Sequence, residues 1–274
     1  MTITCLVSSD AACDQNALSY AISLAQRLDV PLTALAVYPE PANVMLYATT
    51  PYMIGTDGGA INAIRNAQDK LKAECEAAFR TLCGDMSQAT FKSIIGQPAR
   101  FASDAAVLSE AAVFPRTAAQ GTHILSDSFE RVLMNARLPV VLAGEPAMKT
   151  GSVLIAWDGS GQVSRSVRLH AGLLSAFDRV IIATNPDDVK AIEGEVAAGP
   201  SGLADWLSRR DLNSETVTFD GPISAGLLEI AETTGCEMII AGAYGSSRAG
   251  EILFGGASRG LLQTERGPAL ALAH

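Results

Sequence analysis

The sequence predicts an α/β fold built from two tandem copies of one unit, and two observations support this prediction. Short apolar segments alternate with segments of helical periodicity, a pattern typical of a parallel sheet covered by helices on both faces. The order of these segments in the first half of the 274 residues recurs in the second half. A linker rich in glycine and proline separates the copies, so we predict domains over residues 1–144 and 151–274.

Each element of the first copy has a counterpart in the second. Each copy opens on an apolar strand, residues 3–8 and 153–157, and a polar break then leads into an amphipathic helix. The other predicted strands are residues 31–37, 90–95, 111–114 and 138–143 in the first copy, and residues 179–183, 215–219, 238–241 and 267–273 in the second. The first copy has in addition a longer loop, residues 39–59, and a long helix, residues 60–83.

Composition narrows the class of protein. Hydrophobic residues make up 48% of the chain and charged residues 18%, which is enough apolar material for a large core. The formal net charge of -9 disfavours a nucleic-acid partner. Five scattered cysteines without a close CxxC pair favour reduced thiols. No secretory signal is recognisable, and no apolar segment reaches the roughly 18 residues of a membrane helix, so we expect a soluble cytoplasmic protein.

The most informative segment is residues 236–258, where an apolar strand runs into a loop spaced by glycines. Glycine lets the backbone approach a ligand closely, and free N–H groups at a following helix start suit phosphate. In parallel sheets, ligands bind where the strand order reverses, so we expect the first and fourth strands of each copy to flank such a point. In the second copy these strands end at Asp158 and Gly242.

The same residues also have a purely structural interpretation, which the sequence leaves open. Asp158 has the right position for a helix N-cap. The glycines would serve tight turns and close packing of helix on strand. The first copy has no glycine loop, because Phe114-Pro115-Arg116 stands where the second copy has Ala241-Gly242-Ala243.

These residues resemble the universal stress protein family. Residues 153–160, VLIAWDGS, match its opening pattern V-L-[IV]-A-x-D-G-S, and Gly242, Gly245 and Gly255 match the spacing of its ATP loop, G-x2-G-x9-G-[ST]. The resemblance implies two tandem five-stranded parallel-sheet domains, Rossmann-like and similar to adenine nucleotide hydrolases. Gly256 departs from the family's [ST] position, and Ser258 carries the nearest hydroxyl, as in a GG-x-[ST]-R variant of tandem bacterial members.

The resemblance also implies a ligand. One type of family member binds ATP: the aspartate matching Asp158 contacts adenine and ribose, and the loop glycines surround the phosphates. We therefore predict that the second copy binds ATP or a related adenine nucleotide, with accompanying Mg²⁺ left open and Ala183 as a wall for the adenine. The predicted binding residues are Ala156, Asp158, Ala183, Gly242, Gly245, Ser246, Ser247, Arg248, Gly255, Gly256, Ala257 and Ser258.

Catalysis is not expected beyond slow ATP hydrolysis. The chain has no GxSxG elbow, no Walker lysine, no GxGxxG fingerprint and no Cys/His spacing for a protein-bound metal. The alternative function is a protein-interaction scaffold that binds no nucleotide, motivated by the degenerate first copy and by Gly256. Its protein partner is unknown. In the family the last strand forms the dimer, so the two copies are expected to pair as an intramolecular pseudo-dimer, with a homodimer left open.

Overall fold

The computed structural model describes residues 2–8, 11–48, 58–84, 86–145, 151–187, 199–243, 260–262, 264 and 266–274. Ten strands of these residues form one sheet. The first copy contributes β1 (Ile3–Val7), β2 (Leu32–Tyr38), β3 (Ala89–Ile95), β4 (Ala111–Phe114) and β5 (Val140–Leu142). The second copy contributes β6 (Ser152–Ala156), β7 (Arg179–Thr184), β8 (Ser214–Thr218), β9 (Cys236–Gly242) and β10 (Ala269–Ala273).

The strand order is β3-β2-β1-β4-β5-β10-β9-β6-β7-β8, and each copy supplies five parallel strands. The predicted fold class is confirmed, as is the expectation that the first and fourth strands of each copy are neighbours. The copies join where β5 and β10 pair antiparallel, with Leu142 opposite Leu270 and Val140 opposite Leu272. The two five-stranded units are therefore continuous through hydrogen bonds between their last strands.

Eight α-helices cover the sheet among the described residues. They are α1 (Ala11–Leu28), α2 (Pro41–Ala48), α3 (Gly58–Cys83), α4 (Pro98–Ala106), α5 (Ser126–Glu130), α6 (Gly161–Leu169), α7 (Pro200–Ser208) and α8 (Ile223–Thr234). A π-helical turn, Arg131–Asn135, extends α5, and a 3-10 helix, Ala171–Ala176, follows α6. Within the same residues, no helix combines the length and the apolar character needed to cross a bilayer.

Two expectations about helices need correction. The long loop predicted over residues 39–59 contains α2, and α3 begins at Gly58, while residues 49–57 lie outside the described part of the chain. The segment PANVMLYA is apolar at nearly every position, so it shows no helical periodicity from which α2 could be predicted. In the second copy, Val163, Val167, Ala171 and Leu174 recur with helical periodicity and predict one helix, but α6 ends at Leu169 because the backbone of His170 (φ -95°, ψ 12°) leaves the α region.

Both faces of the sheet bury a core that continues from one copy into the other. On one face, strand residues of β1, β4 and β5 pack in the same cluster as strand residues of β6, β7, β9 and β10, under α1, α3, α6 and α7. On the other face, Leu142 and Phe114 lie in one cluster with Leu154, Ile239 and Leu270. Since neither copy has a core of its own, we expect the chain to unfold as one cooperative unit.

Arg116, two residues after β4, makes three hydrogen bonds to the second copy. Its Nε donates to the carbonyl oxygen of Thr264 at 2.6 Å, and its two terminal nitrogens donate to Pro268 (2.8 Å) and Leu261 (3.0 Å). The residue is 8% exposed, and burial lowers its pKa to about 10, so the guanidinium remains charged at neutral pH. A cation of the first copy thus binds three carbonyl groups of the segment that runs from Leu261 to the start of β10.

His170 is fully buried at the end of α6, where its Nδ1 lies 2.8 Å from the carbonyl oxygen of Ser166. Burial lowers the pKa of this imidazole from 6.5 to about 4. Between these two values the folded protein keeps His170 neutral, while the unfolded chain binds a proton. Stability from this residue is therefore complete above pH 6.5 and is lost as the pH falls through 4.

We expect the free energy of unfolding to fall by about 3 kcal/mol between pH 7 and pH 4 because of His170 alone. Urea unfolding of the wild type and of His170→Asn across this range measures the effect, since the amide does not titrate. Asn213→Gln, at an exposed position just before β8, serves as the control, since neither amide titrates, and it should keep the wild-type pH dependence. Equal pH dependence in the wild type and His170→Asn would contradict the prediction.

Candidate functional site

The carboxyl ends of β6, β7 and β9 lie side by side. Leu154 and Ile155 of β6 stand opposite Ile239 and Ile240 of β9, and on the other side Ala156 stands opposite Ala183 of β7. The strand order reverses between β6 and β9, because β6 leads through α6 to β7 on one side while β9 lies on the other. Parallel sheets bind their ligands at such a switch point.

The two alanines of the predicted site line the base of this edge. Ala183 is buried at 1% exposure, and its carbonyl oxygen accepts a hydrogen bond of 2.8 Å from the N–H of Trp157. Ala156 is half-buried. Trp157 packs with Val153 in the core of the opposite face, as the alternation of a strand predicts. A ligand at this edge would therefore contact the carboxyl ends of the strands and not the indole of Trp157, which lies on the other face of the sheet.

Asp158 begins the turn that leads into α6. Its Oδ1 accepts the N–H of Ser160 at 2.8 Å, and Gly159 between them has a φ of +73°. The helix cap is Ser160, whose Oγ accepts the N–H of Val163 at 3.4 Å. The structural interpretation of Asp158 as the N-cap is thus wrong. Among the described residues no group donates to its second oxygen, Oδ2, and the residue is half-buried rather than enclosed.

Gly242 ends β9 against the start of α6. A Cβ at this position would lie 2.9 Å from the backbone nitrogen of Val163 and 3.0 Å from the Cβ of Gln162. The glycine is therefore required for close packing of strand and helix, as the structural interpretation expects. The same packing brings the N-terminus of α6, with its unpaired N–H groups, to the switch point beside Asp158.

The structure brings together four of the twelve predicted binding residues: Ala156, Asp158, Ala183 and Gly242. The other eight lie outside the described residues: Gly245, Ser246, Ser247, Arg248, Gly255, Gly256, Ala257 and Ser258. Among the residues that the structure does describe, no group of three or more His, Cys, Asp or Glu side chains could hold a metal ion.

The corresponding edge of the first copy is closed by the chain itself. Both carboxylate oxygens of Asp14, in the first turn of α1, accept the N–H of Ser8 at 2.8 Å, and the Ser8 hydroxyl also donates to Oδ1 at 3.0 Å. Asp14 is buried at 8% exposure. The carboxylate of Asp14 thus already accepts the hydrogen bond of the Ser8 amide at the end of β1, so this amide is not available to a ligand. Sequence reasoning missed Asp14, since a single acidic residue in a first helical turn is common and carries no separate signal.

No protein-family model matches the chain, and no curated protein matches it. Solved structures do match over nearly its whole length. A universal stress protein from Archaeoglobus fulgidus DSM 4304 aligns with a TM-score of 0.66 and 14% identity, over 98% of this chain and 95% of that one.

Two Pseudomonas aeruginosa structures also align, and each covers 99% of this chain and 92% of its own. One, from strain UCBPP-PA14, is provisionally assigned as a universal stress protein and has 16% identity and a TM-score of 0.49. The other, PA1789 from strain PAO1, has no known function and shows 15% identity and a TM-score of 0.46. The Archaeoglobus match confirms the fold that the sequence resemblance implies.

Proposed function

We propose that this chain, which has the universal stress protein fold, is a stress-response or regulatory module that binds ATP or a related adenine nucleotide in its second copy. The observation that supports this most is the position of Asp158. Its carboxylate lies at the switch point between β6 and β9, beside the N-terminus of α6, and only one of its oxygens accepts a hydrogen bond from the described residues.

The chemistry of this edge suits a nucleoside better than a purely apolar ligand. The Oδ2 of Asp158 is available to accept a ribose hydroxyl or the amino group of adenine. Gly159 and Gly161 follow Asp158 in this turn and have no side chains, and a Cβ on Gly161 would meet no atom of the described residues within 4 Å, so this part of the chain leaves space for a ligand. The proposed loop residues 245–258 would then bind the phosphates, and a Mg²⁺ ion that accompanies the nucleotide would be their counter-ion.

The first copy provides the contrast. At its edge, Asp14 accepts a hydrogen bond from the amide of Ser8 at the end of β1. Arg116, which stands where the second copy has its glycine loop, donates hydrogen bonds to three carbonyl groups of the second copy. We therefore assign one nucleotide per chain. The proposal also places the protein in the cytoplasm, where the free thiols of Cys5, Cys75, Cys83 and Cys236 would stay reduced.

Calorimetry with ATP tests the proposed site. We expect the wild type to bind one ATP and Asp158→Ala to bind it roughly 10- to 100-fold more weakly, because a hydrogen bond to a charged group contributes about 1.5–3 kcal/mol. Gly245→Val should also weaken binding. Ser160→Ala is the matched control: it removes the cap of α6, costing about 1 kcal/mol of stability, and leaves the carboxylate in place.

The outcomes separate the two candidate functions. Loss of affinity in Asp158→Ala, with Ser160→Ala close to wild type, supports the nucleotide site. Equal affinity in all variants, or no binding and no thermal shift in the wild type, would instead favour the scaffold. Mass spectrometry of small molecules released on denaturation gives an independent answer. A phosphate-release assay shows whether hydrolysis accompanies binding, and we expect hydrolysis to be slow because the sequence has neither a Walker lysine nor a GxSxG elbow.

A further inference from the structure

A second concave site lies between α6 and α7, on the face of β6 opposite Ala156. It is a groove with a cavity volume of about 310 Å³, and its lining includes Trp157, Arg168, Leu203, Asp205, Trp206 and Arg209. The four described residues of the proposed nucleotide site, Ala156, Asp158, Ala183 and Gly242, do not line it. We call it the tryptophan groove, since it contains both tryptophans of the chain.

The groove is a property of the second copy. In the first copy the corresponding space lies between α1 and α3, and the cavity there measures only about 70 Å³. Three large side chains of α3, namely Leu71, Phe79 and Leu82, line that smaller cavity. The helix α3 has 26 residues, whereas α7, in the corresponding layer, has nine. The difference in packing leaves a space in the second copy that is large enough for a small organic molecule.

Two indole rings give the groove aromatic walls that are held in place. Trp157 is 7% exposed and is fixed by the core around it. Trp206 is half-buried, and the guanidinium of Arg210 lies 3.6 Å from its ring centroid while donating to its carbonyl oxygen at 3.1 Å. Arg210 does not line the groove, so it supports the ring from outside. Fixed aromatic walls bind a planar ring with little loss of side-chain entropy.

The charges of the groove select an anion. Arg168 lies in the last turn of α6 and Arg209 caps α7, and both line the groove. Neither guanidinium has a carboxylate within 4.0 Å among the described residues, although the whole chain carries a net charge of -9. Asp205 also lines the groove, so Arg168, Arg209 and Asp205 together carry a net charge of +1, which suits a single negative charge better than a polyanion.

We propose that the tryptophan groove binds a small planar aromatic carboxylate. The ring stacks between or against Trp157 and Trp206, and the carboxylate pairs with Arg168 and Arg209. This site is independent of the proposed nucleotide site, because its residues belong to the other face of β6, to α7 and to the part of α6 from Ser164 onwards, beyond the turn that carries Asp158. It therefore stands or falls separately from ATP binding.

Nuclear magnetic resonance tests the proposal directly, since the ¹⁵N-labelled chain has only two indole N–H signals and both report on the groove. The probes are 2-naphthoate, its neutral isostere 2-naphthamide and the cation 2-naphthylmethylammonium. We expect 2-naphthoate to shift both indole signals and to bind about tenfold or more tightly than either other probe, because only it can pair with both guanidinium groups.

The variant Arg168→Gln/Arg209→Gln should lose this preference, so that 2-naphthoate and 2-naphthamide bind alike. Arg100→Gln on α4 is the matched control, since its side chain is 66% exposed, and it should keep the preference. Asp158→Ala should keep it as well. The proposal is overturned if the three probes bind equally to the wild type, if no probe shifts the indole signals, or if the control loses the preference too. If the double variant fails to fold, each single variant should lose about half of the selectivity on a logarithmic scale.

Discussion

Replacing Arg116 by methionine is expected to lower the free energy of unfolding by about 3–5 kcal/mol, because hydrogen bonds to a charged donor contribute about 1.5–3 kcal/mol each and are not fully additive. The side chain is buried at 8% exposure and satisfies the carbonyl groups of Leu261, Thr264 and Pro268 at once. Methionine fills much of the same volume but removes all three of these hydrogen bonds. Urea unfolding followed by circular dichroism measures the loss.

Two further variants show whether the geometry or the charge of Arg116 is responsible for the stabilisation, and how much an exposed arginine contributes by comparison. Arg116→Lys keeps the positive charge, but a single ammonium group cannot reproduce the planar fork, so we expect an intermediate loss. Arg100→Met removes an exposed arginine whose nearest carboxylate, that of Asp104, is 3.7 Å away, and it should change stability by no more than about 0.5 kcal/mol. A result for Arg116→Met within 1 kcal/mol of Arg100→Met would mean that the three hydrogen bonds contribute little.

The second large effect is expected at Gly144, next to β5. A Cβ on this residue would overlap the backbone nitrogen of Ala269 and lie 2.9 Å from the carbonyl carbon of Pro268. Both atoms belong to the backbone that leads into β10, so they cannot move aside without disturbing the antiparallel pair. We expect Gly144→Ala to cost about 3 kcal/mol, the upper part of the range for an inserted methyl group. Differential scanning calorimetry measures the loss.

Gly161→Ala is the matched control for this substitution. A Cβ there meets no atom of the described residues within 4 Å, and the residue opens α6, where alanine is tolerated. Its melting temperature should equal or slightly exceed that of the wild type. If Gly144→Ala had the same melting temperature as Gly161→Ala, the backbones at the junction of the copies would have to be further apart than the structure places them.

The fold could be predicted from local patterns because most strands are apolar runs between breaks. Residues 238–241, for example, are apolar throughout and lie within β9, which spans Cys236–Gly242. The helix α2 escaped prediction because its eight residues lack a polar face. The cap of α6 could not be assigned either: Asp158 and Ser160 are both good capping residues, and only the backbone geometry shows that Ser160 has the role.

Long-range contacts account for most of what the sequence could not show at the site. Arg116 is separated by 145 to 152 residues from the carbonyl groups it binds, and carbonyl groups are present at every position, so no residue type marks the partner. Asp158 and Gly242, in contrast, could be placed at one edge, because parallel strands end on the same side and the strand order follows from the repeat.

The antiparallel pairing of β5 with β10 has a further consequence for how the sequences of the two halves can diverge in evolution. In a dimer of separate subunits, partners exchange and every surface substitution is present twice. Here the linker keeps each half at a high effective concentration around one fixed partner. A substitution in one half therefore acts on a single, always identical neighbour. This arrangement allows the first half to specialise as a support, with Asp14 and Arg116 engaged in internal contacts, while in the second half one carboxylate oxygen of Asp158 accepts no hydrogen bond from the described residues.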